Sequence, residues 1–378
     1  MSLSVNKKDL FELLQKSFPI IPFKSSLQVL SNFRLCFSEN ILEISVTDLD
    51  HFLRVFSKVD GNEFFDITVN ARKFFEIVRE LPEGIVNLEV IENVLCIKCE
   101  KGFSCKIAVS DVRDFPGFPE ENGVSSLKAS SLSLKDLILK SSFAAAKDES
   151  RAVLCGVFFE ISENRMGMVS TDGHRLGSSF VTTLHNVESS VSCVISPKSL
   201  LNLYKIFDSK NDEEVTVTVG EKYIVFSTSN FKMYSKLLEG SYPDYSKVIP
   251  KNNPKRAVIK KGDLQVAVKR VSVLSNQKTH LIKFSFSFNN LEIVVLNRDI
   301  GGEAREEMPV EYENDNHTIG FNSQYFLEIL DIIKTEKILL EMNTQISACL
   351  LYPYYNDDKK PSSDDLFLIM PLRILDEM

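Results

Sequence analysis

Three Asp-Leu pairs open helix-like stretches in this chain, at Asp9, Asp136 and Asp263, and both steps between them are 127 residues. A fixed period constrains architecture more than any composition can, because each period has to be one folding unit. A second set of helical patterns obeys the same rule. The stretches "VNARKFFEIVREL", "ISPKSLLNLYKIF" and "FNSQYFLEILDIIK" begin at Asn70, Ser196 and Asn322, separated by two steps of 126. Each of these residues is a favourable N-cap, since a short polar side chain accepts a hydrogen bond from an amide of the first turn. Pro197 then falls at N1, where a missing donor costs nothing. Turns at Asn40, Asn164 and Asn290 lie 124 and 126 residues apart and open short alternating strands. Each third closes on a period-two hairpin: "VNLEVIENVLCIKCE", "EVTVTVGEKYIVFSTS" and "KILLEMNTQISACLLY". The repeat predicts an α+β fold of three similar domains, 1–124, 125–250 and 251–378, with mainly antiparallel sheets and two helices per domain on one face. The proposed limits fall in the polar segments "ENGVSSLKAS" and "IPKNNPKRAV".

Composition narrows the class. With 44% hydrophobic and 25% charged residues, the chain has the balance of a soluble globular protein. It has no apolar run near 18 residues and no charged-then-apolar leader at "MSLSVNKKDL", so a cytoplasmic protein without a membrane association is expected. Seven cysteines, odd in number and set in alternating apolar stretches, predict buried free thiols in a reducing compartment.

The formal charge is −8, which by itself argues against nucleic acid, yet the charge is unevenly placed. Windows 6–17, 70–80, 134–149, 197–210, 260–270 and 322–337 hold 18 Lys/Arg against 12 Asp/Glu, so the predicted helices are net positive and the remainder is −14. That pattern suits a helical surface that meets phosphates without reading sequence, and equally suits ordinary solvated helix faces.

Handles for chemistry are few. His51, His174, His185, His280 and His317 are scattered, and Cys96-x-x-Cys99 lies in a period-two strand where positions three apart face opposite ways. No phosphate-binding glycine loop, dinucleotide fingerprint or serine-hydrolase elbow occurs. No catalytic residue, metal or cofactor is therefore predicted. The densest stretch is "VSTDGHRLG", residues 169–177. In a catalytic reading Asp172 and His174 would need a distant Ser or Cys. In the alternative, Asp172 caps the turn, Gly173 takes a positive φ, and His174 and Arg175 present donors beside Leu176, as in a peptide-binding groove.

"TDGHRL", "SKLLEGSYPDYSKVIPKNNPK", "ARKFFEIVRELPEG", "LSNQK" and "MPLRI" together resemble the bacterial sliding clamp, the β subunit of the replicative DNA polymerase III holoenzyme. The matches lie in all three thirds and in the family's order. The resemblance implies a non-enzymatic processivity factor with the DNA clamp fold: a head-to-tail homodimer whose ring encloses double-stranded DNA, helices inside and sheets outside. It implies that DNA polymerase III, the clamp loader and repair proteins dock by short linear motifs in a groove between the second and third domains. Carried over by position, the wall comprises Leu154, Thr171, Gly173, His174, Arg175, Leu176, Pro243, Lys247 and Val248. Leu368, Ile369, Met370, Pro371 and Leu372 would add to it, with Asn322 and Tyr325 nearby. Lys24, Arg72, Lys198 and Lys205 would face DNA. Phe103, Ile107, Val273 and Leu274 would form the apolar part of the dimer interface, with Lys73 and Glu303 as flanking charges. The chain departs from the family at Ala152 and Val153, where aromatic residues are common, and at Lys247, where an Arg is usual. It also carries an acidic insertion at 352–365 and the extension "LDEM" past Ile374. An enzyme built on Asp172 and His174, or a monomeric repeat scaffold that does not bind DNA, are the other classes open to such a chain.

Overall fold

Among the described residues the period in the sequence returns as six α-helices: α1 (Lys7–Ser17), α2 (Ala71–Glu80), α3 (Ser131–Ser142), α4 (Pro197–Ile206), α5 (Lys261–Ser272) and α6 (Ser323–Ile332). The structure, a computed structural model, describes residues 1–100, 102–120, 122–162, 165–183, 190–207, 211–355 and 364–374. Asn164, His185, most of the acidic insertion and the terminal "LDEM" lie outside the described residues. Two of the predicted N-caps form as drawn. The Asn70 side chain accepts from the Lys73 amide, and the Asn322 side chain accepts from the amides of Gln324 and Tyr325. Ser196 occupies the N-cap of α4 with Pro197 behind it, but its hydroxyl makes no capping bond. The turn between the strands Asn32–Ser38 and Ile41–Thr47 has Glu39 and Asn40 both at positive φ, 50° and 61°, the conformation of a tight hairpin turn.

Two compact units result, Met1–Lys135 with Thr183–Leu237, and Asp136–Thr182 with Leu238–Met378. The first and last predicted domains thus fall whole into one unit each, and the middle one is divided. Sheet pairing supplies the reason. Within the first unit, Phe231–Lys236 of the middle third pairs antiparallel with His51–Lys58 of the first third, joining strands from both into one sheet. Within the second unit, Arg175–Thr182 pairs antiparallel with Leu366–Ile369 of the last third. Backbone hydrogen bonds thus join strands of neighbouring predicted domains within one sheet.

The two junctions are copies of each other. Phe52 faces Tyr234, which faces Val225; 124 residues later Leu176 faces Leu368, which faces Leu350. In each case the row is an apolar stripe on one sheet surface, covered by the connecting segment: Phe118 in the first unit, Tyr245 and Ile249 in the second. The opposite surface of each sheet packs on helices. In the second unit α5 and α6 bury Leu264, Val268, Phe326 and Ile329 against Phe284, Phe321 and Ile338. Phe284, Phe321 and Phe326 meet one another at ring separations of 5.0–5.4 Å, the range in which aromatic pairs add to simple burial.

All seven cysteines are free thiols. Cys96, Cys193 and Cys349 are buried as expected, whereas Cys36, Cys99, Cys105 and Cys155 are half-exposed, because their strands or turns have one face toward solvent.

Candidate functional site

"VSTDGHRLG" ends one strand, turns, and begins the next, with Thr171 opposite Leu176 in the ladder. Gly173 has φ +87°, a conformation open to glycine at little cost. The Asp172 carboxylate accepts from the amides of His174 at 2.9 Å and Arg175 at 3.0 Å, and its other oxygen accepts from Arg175 Nε at 3.1 Å. The Thr171 hydroxyl donates to the Arg175 carbonyl at 2.7 Å and accepts from the Gly173 amide at 3.1 Å. The acid is committed to the turn and does not orient an imidazole. The His174 ring instead lies over Tyr325, 6.5 Å between centres and 28° from parallel. These contacts favour the turn-cap reading over a hydrolytic Asp-His pair.

Arg175 differs from expectation. It is 3% exposed and presents no donors to solvent. Its guanidinium carbon sits 4.3 Å from the centre of the Tyr325 ring and 5.3 Å from that of Phe143, and it pairs with Glu328 of α6 as well as Asp172. It ties the turn to α6. Leu176, Leu368 and Ile369 are also core, at 0%, 3% and 0% exposure. Leu176 and Leu368 pack in one apolar cluster and Ile369 in another, so they support the wall from behind.

What reaches the surface is a smaller set. Gly173, His174, Pro243, Lys247, Val248 and Met370 are exposed, while Leu154, Thr171, Asn322, Tyr325, Pro371 and Leu372 are half-buried. Backbone bonds hold this set in place. The Met370 amide donates to the His174 carbonyl at 2.7 Å, and the Leu372 amide donates to the Gly320 carbonyl at 2.8 Å. Asn322, besides capping α6, donates from Nδ2 to the Thr279 carbonyl at 3.3 Å. Lys247 pairs with Asp244 at 3.3 Å. Sequence reasoning missed three supports. The Tyr242 hydroxyl accepts from the Thr171 amide at 3.1 Å, and burial pushes its phenol up to about 12. Phe158 stacks on Tyr242 with 5.2 Å between ring centres, and Tyr245 donates to Glu160 at 2.7 Å. The aromatic residues flanking Pro243 in "SYPDY" were the available signal.

A step of 124 also maps Thr47-Asp48 onto Thr171-Asp172 and His51 onto Arg175, and the first unit repeats the turn. The Asp48 carboxylate accepts from the His51 amide at 2.8 Å. Leu49 holds φ +77° where its counterpart is Gly173, a strained choice for a branched side chain. His51 Nδ1 lies 2.8 Å from Asp48, its Nε2 lies 2.6 Å from the Ser199 hydroxyl, and Ser235 donates to that hydroxyl at 2.7 Å. The order Asp, His, Ser is that of a hydrolase relay, but Ser199 is 1% exposed on α4, so the chain of bonds joins elements and meets no substrate.

The residues predicted to face DNA all lie in the first unit and are exposed: Lys24 on a loop, Arg72 in the first turn of α2, Lys198 and Lys205 on α4. Lys198 is the exception in availability, since its ammonium is 2.7 Å from Asp48. The basic excess predicted for helices persists in α1 to α5, whereas α6 carries Glu328 and Asp331 and no cation. Of the predicted dimer residues, Phe103 is 43% exposed beside an apolar cavity of about 320 Å³ lined by Ile77, Leu81 and Pro82, and Ile107 is half-buried on the following strand. In the other unit Val273 is 81% exposed after α5, while Leu274 packs on the core. Lys73 and Glu303 pair locally, with Glu76 at 3.2 Å and Arg305 at 3.5 Å.

The sequence matches the family descriptions "DNA polymerase III beta subunit, N-terminal domain" over residues 1–119, "central domain" over 128–244 and "C-terminal domain" over 246–371. A beta sliding clamp from Pseudomonas putida is 30% identical over 99% of the chain and 100% of its own length. One from Chlamydia muridarum is 28% identical with both chains fully covered. Among solved structures, the sliding clamp of Pseudomonas aeruginosa bound to griselimycin superposes with a TM-score of 0.93 at 30% identity, covering 99% of this chain and 100% of that one.

Proposed function

The chain belongs to the DNA polymerase III beta subunit family, and from that membership we propose that it encircles duplex DNA and tethers the polymerase, with the surface around His174 and Met370 as its docking site. It is a sliding clamp, a non-catalytic processivity subunit with the three-domain clamp fold, and its partners are DNA, the polymerase and other proteins of replication and repair. The domain limits are 1–124, 125–250 and 251–378. The active assembly is a head-to-tail homodimer that closes as a ring, because a heterologous contact that does not close would polymerise. The apolar cavity beside Phe103 receives Val273 of the partner subunit. On this reading the protein works in the cytoplasm without a cofactor. No helix among the described residues is long and apolar enough to cross a membrane.

One observation carries the docking assignment: exposed His174 and Met370 stand on a frame locked by Asp172, Arg175 and two strand-like backbone bonds, with Val248 exposed on the turn Tyr245–Val248. Rigid scaffolding under a few adaptable apolar side chains suits a surface that accepts several related peptides. Lys24, Arg72, Lys198 and Lys205 supply weak, sequence-independent phosphate contacts, and topology supplies persistence. The deciding experiment loads the protein onto circular DNA and then linearises the circle. Release on linearisation is expected; retention on linear DNA with free ends would overturn the clamp mechanism.

A further inference from the structure

Phe23 stands 80% exposed on the loop between the turns Phe18–Ile20 and Gln28–Ser31. Burial was available nearby, since Phe11 and Phe18 both pack on Phe75, at ring separations of 5.4 and 4.5 Å. Phe23 stays outside that cluster. The Arg72 guanidinium lies 5.3 Å from the centre of its ring, and Lys24, the next residue, is exposed. Among the described residues no carboxylate forms an ion pair with Lys24 or Arg72, although most of the basic residues on α1 and α2 have one. A ring displayed to water, with one cation over it and another beside it and neither paired to a carboxylate, buries almost no apolar surface. It has the two components that bind a single strand: a face on which a base stacks, and positive charge for the adjoining phosphates. Inside a duplex the base faces are covered by their neighbours, so the ring has no partner there.

We propose that Phe23, Lys24 and Arg72 form a binding site for unpaired DNA, with one base stacked on Phe23 and phosphates of the same strand on the two cations. The site rests on the reading of the chain as a DNA clamp, and extends it from duplex to the single strand that adjoins one.

The test uses the full chain and a fluorescent oligo(dT). Phe23→Ala weakens binding about tenfold, in line with the loss of one stacked base, and leaves the salt dependence unchanged. Lys24→Ala with Arg72→Ala lowers the slope of log affinity against log salt by about 1.4, or ~0.7 per lost phosphate contact on a single strand. The sequence contains no tryptophan, so Phe23→Trp introduces the only indole; it restores affinity, and its emission is quenched by oligo(dT). Undetectable binding by the unaltered protein, unchanged affinity in Phe23→Ala, or an indole indifferent to saturating oligonucleotide would overturn the site. Equal loss of affinity for fully paired duplex in Phe23→Ala would overturn the preference for unpaired bases, whereas Lys24 and Arg72 also serve duplex phosphates. Retention of Phe23→Ala on closed circular duplex separates the two readings, because it depends on the ring and not on this patch.

Discussion

The guanidinium of Arg175 lies over the Tyr325 ring at 4.3 Å while its Nε holds the Asp172 carboxylate at 3.1 Å, so one buried cation joins the turn to α6. Replacing Arg175 by Ala leaves Asp172 with its amide bonds but no counter-charge and opens space beside Phe143, at a cost of about 1–3 kcal/mol. Lys at this position restores charge but not the planar fork that serves Asp172, Glu328 and the ring together. Urea unfolding should rank the proteins Arg, then Lys, then Ala. Partner-peptide affinity should fall in the same order, because His174 rides on the turn.

Asp48 is the acid-sensitive point of the first unit. Burial pushes its carboxyl up, but hydrogen bonds from His51 and Lys198 outweigh this and hold it at about 2. The unfolded chain takes up the same proton near pH 4. A depressed carboxylate contributes stability above the unfolded value and loses it as pH falls through the folded one, so roughly 2–3 kcal/mol disappears between about pH 4 and pH 2. Asp48→Asn should be less stable at neutral pH and show a shallower decline across that window, as read by denaturation at a series of pH values.

Salt dependence separates the cations proposed to face DNA. Each phosphate contact removed lowers the slope of log affinity against log salt by about 0.9 on duplex DNA. Removing Arg72 or Lys205 should produce a shift of that order. Removing Lys198 should produce less, because Asp48 at 2.7 Å already neutralises it. Equal shifts at Lys198 and Lys205 would contradict this ordering.

At the proposed docking surface, deletion of Met370 through Met378 removes the amides that bond to His174 and Gly320, so it disturbs the frame as well as the side chain proposed to make contact; residues 375–378 are outside the described residues. Met370→Ala and Val248→Ala are cleaner, being 37% and 55% exposed. Each should weaken a partner peptide about 5- to 30-fold with unfolding midpoints unchanged. Undiminished binding in both would move the docking site elsewhere.

Much was legible in one dimension because repetition is a one-dimensional property. Equal steps between N-caps and Asp-Leu pairs exposed three copies of an α+β unit, and the dense "TDGHRL" turn could be read as a cap because Asp, Gly and Thr have local hydrogen-bonding preferences that act within a few residues. What spacing could not reveal was depth. Arg175 and His174 are adjacent in sequence and equally polar, yet one is buried between two rings and the other is exposed. That outcome depends on Phe143, Tyr325 and Glu328, which arrive from distant parts of the chain. The same holds for Lys198, whose charge is taken by Asp48 from 150 residues away, and for Phe23, whose failure to find cover only the packed chain displays. Local chemistry therefore determined which turns and helices form, while burial and long-range pairing, which sum over neighbours the sequence does not place side by side, decided which of their residues remain free to bind anything.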